Sequence, residues 1–311
     1  MNKTKISAVI ACYKDEKAIP IMYKRLKDTF NKISTDHEII FVNDGSPDKT
    51  TSVLENICKK DKKVKAIIHS RNFSSQNAFT SGMEASSGDA VVIMDGDLQD
   101  PPEMIEKFYT KWKEGYEIVY GNRVKREASF LLNVSYKIFY RLFNKLSYIK
   151  IPHDAGDFSL MDRKVVNEIN NLPENDRFIR GLRAWVGFKQ IGVNYIRPER
   201  MFGTTTNNFF KNVSWAKKGI FSFSFLPLEF ISYLSYLIIL TSFLAIIFYF
   251  VYYFINPGSP KGITTIILLV LFLGGVQLLF LSFISEYIAK ILQETKKRPK
   301  YIIDRKINFD K

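Results

Sequence analysis

Short apolar runs alternate with longer amphipathic segments through the first two thirds of the chain. The apolar runs have the length and composition of buried strands: Ile6–Ala11, Glu38–Val42, Val64–His69, Ala90–Met94 and Ile118–Gly121. The segments between them have helical character: Ile19–Ile33, Lys49–Lys60, Gln76–Ser86 and Pro102–Glu114. This alternation predicts an α/β domain over residues 1–210, with a mostly parallel sheet that helices cover on both faces.

Two long stretches without charged residues follow, from Phe230 to about Pro260 and from Gly262 to Ser285, and they predict helices at about residues 231–255 and 262–286. Each is long enough for a helix to cross a hydrocarbon core of about 30 Å. The polar segment Asn256–Lys261 joins them, so residues 230–290 are predicted to form a two-helix transmembrane hairpin. A buried core helix is the alternative, and two such stretches in tandem disfavour it.

Basic residues are concentrated at the two outer ends of this hairpin. They are Lys211, Lys217 and Lys218 before it, and Lys290, Lys296, Lys297, Arg298 and Lys300 after it. The connecting loop contains only Lys261. Because short cytoplasmic segments are enriched in Lys and Arg, we expect a multi-pass plasma-membrane protein whose N-terminal domain and C-terminus are both cytoplasmic. Residues 291–311 then form a basic cytoplasmic tail, which lies on lipid or on a neighbouring copy.

The chain has 45 Lys and Arg against 31 Asp and Glu, a net charge of +14, which indicates an anionic partner. Residues 128–149 repeat apolar side chains every four positions, and Lys137, Arg141 and Lys145 occupy another face. This pattern predicts an amphipathic helix, and an interfacial position is favoured over packing on the domain's own core. Residues 211–229 are predicted to be a second interfacial segment. Anionic membrane lipid is the expected partner, and nucleic acid is not, since no recognition module is evident.

Two aspartates end the fourth apolar run. Asp95 and Asp97 flank Gly96, and the polar segment Leu98–Glu103 follows. Isolated Asp-x-Asp pairs are usually solvated turn residues, but ligands of parallel sheets bind beyond the carboxyl ends of the strands. Hard carboxylate oxygens in an open site suit Mg²⁺ or Mn²⁺, which takes further ligands from substrate phosphates. No P-loop or G-x-G-x-x-G motif is present to hold phosphate otherwise.

An ordered set of motifs extends this pattern along the chain. They are VNDGSPD (42–48), SRNF (70–73), MDGDLQDPPE (94–103), AGDFSLMDR (155–163) and RFIRGLRAWVG (177–187). Together they resemble the family-2 glycosyltransferases with the GT-A fold. More narrowly, the chain is similar to the polyprenyl-phosphate glycosyltransferases, the group that contains bactoprenol glucosyltransferase and dolichol-phosphate mannose synthase. Two C-terminal spans are typical of the bactoprenol branch.

The resemblance implies a role for each matching residue. The nucleotide-sugar-binding residues would be Tyr13, Asp15, Asp44, Asp95, Gln99, Arg123 and Arg200. The metal ligands would be Asp95 and Asp97, and the catalytic residues Asp97, Asp157 and Arg200. Candidates for the acceptor phosphate are Arg123, Arg126 and Lys211. Asp157 stands where related enzymes place a base, but it could also orient the acceptor, contact a sugar hydroxyl or bond with the Arg180–Arg183 segment.

The activity implied by the resemblance is inverting transfer of a single sugar from a nucleotide-diphosphate donor to polyprenyl (undecaprenyl) phosphate, at the cytoplasmic membrane face. UDP-glucose is the donor expected for this branch, and modification of a cell-envelope glycan is the expected use. A processive polysaccharide synthase and a catalytically silent membrane scaffold that keeps the fold are the alternatives. Gly274 and Gly275 offer a close-approach surface for a homo-oligomer.

Overall fold

The structure is a computed structural model, and it describes residues 4–124, 155–202, 223–224, 226–255 and 262–309. The strands are β1 Lys5–Cys12, β2 Asp36–Asn43, β3 Val64–His69, β4 Ala90–Asp95, β5 Ile118–Arg123, β6 Ala155–Asp162, β7 Gln190–Tyr195 and β8 Ile303–Ile307. The helices are α1 Ile19–Ile33, α2 Thr50–Lys60, α3 Ser75–Ala85, α4 Met104–Lys113, α5 Arg163–Asn171, α6 Ile179–Trp185, α7 Leu226–Ile255 and α8 Ile263–Thr295. Within residues 4–124, every predicted strand and helix is present, with ends within two residues of the prediction.

The eight strands form one sheet in the order β7-β5-β6-β4-β1-β2-β3-β8. Strand β1 pairs in parallel with β2 and β4, β2 with β3, and β5 with β7. Since β4 and β5 are both antiparallel to β6, strands β1 to β5 and β7 all run in one direction. Only β6 and β8 run the other way. The predicted mostly parallel sheet is therefore confirmed.

The central strands are buried on both faces, which explains why β1 and β4 are almost continuously apolar. On one face Ile10 belongs to a cluster with residues of α1, α2 and α4, among them Met22 and Phe108. On the other face Val9 packs with residues of α3, α5 and α6, among them Phe79 and Ile179. Successive residues of β1 thus point into two separate cores, as the two-residue period of a strand requires.

The helices α7 and α8 contain stretches that are long and apolar enough to cross a membrane. They are Leu228–Tyr252, with a mean hydropathy of 2.4, and Leu269–Thr295, with a mean hydropathy of 1.9. Helix α8 continues beyond the predicted end at residue 286, because its last turns contact the first domain. Glu294 accepts hydrogen bonds from the backbone N–H groups of Asn175 and Asp176, and Lys290 lies 3.5 Å from Asp176.

The C-terminal residues differ from the prediction of a tail on lipid or on a neighbouring copy. Strand β8 instead pairs antiparallel with β3 of the same chain, with Ala66 opposite Ile307 and His69 opposite Ile303. Without β8, strand β3 would present an unpaired edge of N–H and C=O groups. The pairing satisfies that edge, so the C-terminal residues are part of the first domain's sheet.

Several predicted features lie outside the described residues. They are the amphipathic helix at about 128–149, most of the juxtamembrane segment 211–229, the loop Asn256–Lys261, and the phosphate candidates Arg126 and Lys211. These stay predictions.

Candidate active site

The sheet topology brings the candidate residues to one edge. Strands β1, β2 and β4 are parallel neighbours, and Cys12 pairs with Asn43 while Ala11 pairs with Asp95. Asp15, Asp44 and Asp97, which follow these strands, therefore lie beyond their carboxyl ends. Because β6 is antiparallel to β4 and β5, it begins at this same edge. Residues far apart in sequence, such as Arg123 and Asp157, consequently meet here.

The turn after β4 holds the two predicted metal ligands. The backbone N–H of Gly96 donates to the Ala11 carbonyl at 2.8 Å, and a Cβ at this glycine would lie 2.9 Å from the Cys12 Sγ. No larger residue fits without displacement. The backbone N–H of Gln99 donates to Asp97 Oδ1 at 3.1 Å, and Leu98 adopts a left-handed φ of 65°. The Asp97 carboxylate is thus fixed by its own turn.

Two arginines from the segment after β7 face this acidic group. Arg200 bridges two carboxylates, with NH2 3.4 Å from Asp15 Oδ1 and Nε 3.9 Å from Asp97 Oδ2. Arg197 NH2 lies 3.8 Å from Asp95 Oδ2. The segment itself is anchored to the turn, because Gln99 Nε2 donates to the Pro198 carbonyl at 3.2 Å. We call Asp15, Asp95 and Asp97 the acidic cluster.

Burial and nearby negative charge raise the pKa values of two members of this cluster, Asp95 and Asp15. The pKa of Asp95 is raised to about 8, first by burial and then by the charges of Asp100 and Asp97, while Arg197 acts in the opposite direction. Burial likewise raises the pKa of Asp15 to about 6, with Asp97 adding to it and Arg200 opposing it. The two arginines therefore do not compensate the carboxylates fully. Such a group is stabilised by an added cation.

The donor chemistry of the acidic cluster fits a divalent metal. Its ligands are hard carboxylate oxygens, which Mg²⁺ and Mn²⁺ prefer. Within the described ranges, no group of three or more His, Cys, Asp or Glu residues is arranged to hold a metal. A cation at Asp95 and Asp97 would therefore take its remaining ligands from substrate oxygens and water.

A second buried network lies behind Asp95. Tyr195 O–H donates to Asp100 Oδ1 at 2.9 Å, and the same hydroxyl accepts from Arg123 Nε at 3.2 Å. Asp100 Oδ2 accepts from the backbone N–H of Asp95 at 3.4 Å. Arg123 is thus held 3.2 Å from a buried tyrosine hydroxyl rather than solvated at the surface. Sequence reasoning missed Tyr195 and Asp100, because nothing local links residues that are 95 positions apart.

Asp157 forms a separate group at the start of β6. Its Oδ2 accepts from Gln76 Nε2 at 3.0 Å and from Arg180 NH2 at 3.1 Å, while Oδ1 accepts from Arg180 Nε at 3.3 Å. Burial alone would raise the pKa of Asp157, but Arg180, Arg183 and the Gln76 hydrogen bond outweigh it and leave the pKa below its usual value. Asp157 is therefore an ionised carboxylate with both oxygens engaged.

Three guanidinium groups approach the segment Gly156–Asp157. Besides Arg180, the fully buried Arg183 donates to the Gly156 carbonyl at 3.2 Å and lies over the Tyr120 ring at 5.1 Å. Arg123 is so close that a Cβ at Gly156 would lie 2.7 Å from its NH2. Burial lowers the pKa of Arg183 to about 10, so it stays protonated near neutral pH. We call Arg123, Arg180 and Arg183 the arginine cluster.

Asp44 is buried in a third arrangement, next to β3. Its Oδ1 accepts from the Phe73 backbone N–H at 2.8 Å and lies 2.9 Å from His69 Nδ1. His69 Nε2 lies 2.9 Å from the Ser81 hydroxyl. Because a carboxylate oxygen accepts hydrogen bonds, this contact requires the imidazole tautomer that carries its hydrogen on Nδ1. The sequence signal for His69 was its position at the end of the third predicted strand. Asp44 follows the second predicted strand, so parallel pairing of these two strands brings the residues to the same edge.

The structure thus places the predicted site residues in three groups. It brings together Asp15, Asp95, Asp97 and Arg200, with Gln99 holding their loop, and it gathers Arg123 near Asp157. Tyr13, whose backbone N–H donates to Asp15 Oδ2 at 2.9 Å, lies beside the acidic cluster. Asp44 is engaged mainly by His69 and Phe73.

Comparison with known proteins identifies the family. Residues 7–169, just over half of the chain, match the profile described as Glycosyl transferase family 2. The chain belongs to glycosyl transferase family 2. The matched part of this family-2 glycosyltransferase contains the acidic cluster, Asp44 and Asp157, and the GT-A-type sheet predicted from the motifs is confirmed.

Several relatives of this family-2 glycosyltransferase resemble it over nearly their whole length. A Bacillus subtilis protein described as the uncharacterized glycosyltransferase YkcC is 41% identical over 98% of this chain and 94% of its own. The prophage bactoprenol glucosyl transferase homolog of Escherichia coli is 37% identical, over 97% and 99%. The bactoprenol glucosyl transferase of Shigella phage SfX is 37% identical, over 96% and 98%.

Among solved structures, glucosyl-3-phosphoglycerate synthase from Mycobacterium tuberculosis, in complex with Mn²⁺, UDP and phosphoglyceric acid, is similar with a TM-score of 0.47 and 16% identity. The similarity covers 70% of this chain and 76% of that chain.

Proposed function

We propose that this enzyme transfers one sugar, with inversion, from a nucleotide-diphosphate donor to polyprenyl phosphate at the cytoplasmic membrane face. The observation that carries the proposal is its similarity to relatives named bactoprenol glucosyl transferase, which extends through the domain and both candidate membrane helices. UDP-glucose is the proposed donor, and undecaprenyl phosphate is the proposed acceptor.

On the donor side, Asp97 and Asp95 would hold Mg²⁺ or Mn²⁺ together with the diphosphate. When bound, that ion supplies positive charge to the departing nucleoside diphosphate. Arg200, which lies between Asp15 and Asp97, adds a guanidinium on the same side. Charge develops on the leaving group in the transition state, and preorganised cations lower the barrier because they stabilise it there.

On the acceptor side, a lipid phosphate needs little proton abstraction. Its second pKa is about 6 by analogy with phosphoserine, so it is largely ionised near neutral pH. A phosphate oxygen would form a bond to the anomeric carbon while the bond from that carbon to the donor's diphosphate breaks on the opposite face. Asp157 is suited less to taking a proton than to holding Arg180, because it is already ion-paired and its pKa is lowered.

The arginine cluster is the proposed location of the acceptor phosphate. Arg180 and Arg123 approach the Gly156–Asp157 segment from two sides, where a guanidinium can bind phosphate with two parallel hydrogen bonds. Arg126 and Lys211 remain further candidates.

The C-terminal strand supports the proposed orientation in the membrane. Since β8 pairs with β3, both outer ends of the α7–α8 hairpin would lie on the side of the membrane that holds the catalytic domain. The basic residues at those ends support a cytoplasmic position for that side, by the positive-inside rule. Anionic lipids would then attract the basic flanks, and Gly274–Gly275 remains a proposed contact for a homo-oligomer.

The proposal is tested by incubating the purified full chain with undecaprenyl phosphate and, separately, UDP-glucose, UDP-N-acetylglucosamine, UDP-galactose and GDP-mannose. We expect mass spectrometry to show one hexose added to the lipid with UDP-glucose and Mg²⁺ or Mn²⁺, and none with EDTA. The Asp97→Asn variant is the matched control for contaminating activity. A ladder of repeated additions would instead identify a processive synthase, and no lipid product with any donor would contradict the proposal.

A further inference from the structure

The C-terminal segment carries the chain from a candidate membrane helix to the substrate edge of the sheet. Helix α8 ends at Thr295, and Lys300 Nζ then donates to the Leu172 carbonyl at 3.2 Å. The Ile302 carbonyl accepts from the backbone N–H of Ser70 at 3.0 Å, directly after the carboxyl end of β3. The residues just before β8 are thus attached to the same edge that holds the candidate active site.

Tyr301 is the residue of this segment that reaches inward. Its ring stacks on the imidazole of His69, with ring centroids 5.2 Å apart and an interplanar angle of 10°. Its hydroxyl donates a hydrogen bond to Glu84 on α3. The ring is therefore held at both ends, by β8 on the backbone side and by α3 at the hydroxyl.

The His69 imidazole contacts two aromatic rings and two polar side chains. Tyr301 covers one face, and the Phe73 ring meets it edge-on with centroids 5.8 Å apart. The two ring nitrogens are engaged by Asp44 and Ser81, both at 2.9 Å. The imidazole has one orientation in this cage, and removing Tyr301 would open one of its faces.

The loop that carries Asp44 depends on the same cage. Asp44 Oδ1 accepts from both His69 and the backbone N–H of Phe73. The next residue, Gly45, has a φ of 65°, and a Cβ there would lie 2.4 Å from the backbone carbonyl carbon of Arg71. The turns at 44–46 and 70–73 are therefore packed as one unit, with His69 between that unit and Tyr301.

We propose that Tyr301 is a positioning residue for the donor nucleotide, acting through His69 on the Asp44 carboxylate. The inference rests on the proposed function and on the role that the family resemblance implies for Asp44, which is contact with the donor nucleotide. It adds that the C-terminal segment contributes to donor binding through the Tyr301 ring. The end of the membrane helix α8 would thus be linked to the nucleotide site through Tyr301.

The test compares variants of the purified full chain. Tyr301→Ala removes the stacked ring, Tyr301→Phe keeps the ring but loses the hydroxyl, and Arg305→Ala removes a β8 side chain that pairs with Glu55 at 2.9 Å without contacting His69. Calorimetry measures the Kd for UDP in the presence of Mn²⁺. Steady-state assays measure the KM for UDP-glucose, the KM for undecaprenyl phosphate and kcat.

We expect Tyr301→Ala to raise the UDP Kd and the UDP-glucose KM about tenfold, since a stacked ring contact contributes on the order of a kcal/mol. Its kcat at saturating donor and its lipid KM should stay within about twofold of the unsubstituted enzyme. Tyr301→Phe and Arg305→Ala should bind UDP within about twofold of the unsubstituted enzyme.

Unchanged UDP affinity in Tyr301→Ala would overturn the inference while leaving the proposed function intact. Equal weakening in Arg305→Ala would also overturn it, because a general loosening of β8 would then be the cause. Failure of the unsubstituted enzyme to bind UDP would contradict the proposed function itself.

Discussion

Asp95 of the acidic cluster and Asp157 lie at one edge of the same sheet, yet their pKa values are shifted in opposite directions. Burial acts to raise the pKa at both places. Around Asp95 the nearest charges include Asp97 and Asp100, so the pKa rises to about 8. Around Asp157 the nearest charges are Arg180 and Arg183, so the pKa falls. Neighbouring charge, rather than depth, decides which form of a buried carboxylate is stable.

From this difference in neighbouring charge we infer the class of ligand that each site binds. A group of incompletely compensated carboxylates is stabilised by a cation, and a carboxylate outnumbered by guanidinium groups leaves positive charge for an anion. Both proposed substrates are anionic, one a diphosphate and the other a monophosphate ester. A site with two regions of opposite charge can hold both, the donor through a metal and the acceptor through arginine.

The largest expected effect follows from removing charge in the acidic cluster. Asp97→Asn keeps the shape of the side chain and the turn, but it loses a metal ligand. Transfer of glucose to undecaprenyl phosphate should fall by about 10³-fold or more, as for other losses of charge stabilisation at a leaving group. Radiolabelled sugar incorporation into lipid measures the rate.

The control for this variant is its membrane extraction and gel-filtration profile, which should match the unsubstituted enzyme. Near-normal turnover in a properly folded Asp97→Asn enzyme would remove the metal from the mechanism.

A smaller effect is expected in the arginine cluster. Arg180→Gln removes the guanidinium that pairs with Asp157 and, by our proposal, binds the acceptor phosphate. We expect kcat/KM for undecaprenyl phosphate to fall about 100-fold, while the Kd for UDP stays within about twofold. The matched control is Lys164→Gln, which removes an exposed cation that pairs with Glu117 and does not belong to the arginine cluster. A comparable loss of UDP affinity in Arg180→Gln would contradict the division into two sites.

Asp157→Asn separates a positioning role from that of a base. If Asp157 only orients Arg180, the asparagine can still accept one hydrogen bond, and the rate should fall about tenfold. The pH–rate profile should keep the shape of the unsubstituted enzyme's profile. A loss above about 10³-fold, together with disappearance of the acidic limb of that profile, would instead identify a catalytic base.

The smallest effect on catalysis is expected at Glu38, a buried carboxylate remote from the site. Burial alone would raise its pKa, but hydrogen bonds from Ser7, the backbone N–H of Ser87 and Lys65 lower it to about 2. Because the folded pKa lies below the usual 4.5, its stabilisation is present above that value and is lost as the pH falls towards about 2. We expect about 2–3 kcal/mol to be lost over this range.

Denaturant unfolding between pH 7 and pH 2.5 measures this contribution. Glu38→Gln should be less stable at pH 7 and should lose less on acidification, while its sugar transfer at pH 7 stays close to that of the unsubstituted enzyme. If the Glu38→Gln variant loses stability equally steeply on acidification, groups other than Glu38 cause that loss.

The sequence by itself determined the strands and helices of residues 4–124 and the existence of the two apolar helices. Both are local properties, since a run of apolar residues or a helical period is complete within one segment. The glycine between Asp95 and Asp97 is also visible in the sequence, and this residue type permits the close backbone approach that the structure has there. The motifs then indicated the family and most of the site residues.

Only the tertiary structure decided which charges meet. Arg200 and Asp15 are separated by 185 positions, and Gln76 and Asp157 by 81, so no periodicity links them. The direction of β6 brings Asp157 to the edge where β4 and β5 end, and β8 brings Tyr301 onto His69. Electrostatic and stacking interactions depend on distance in space, which the order of strands in the sheet sets and the order of residues in the chain does not.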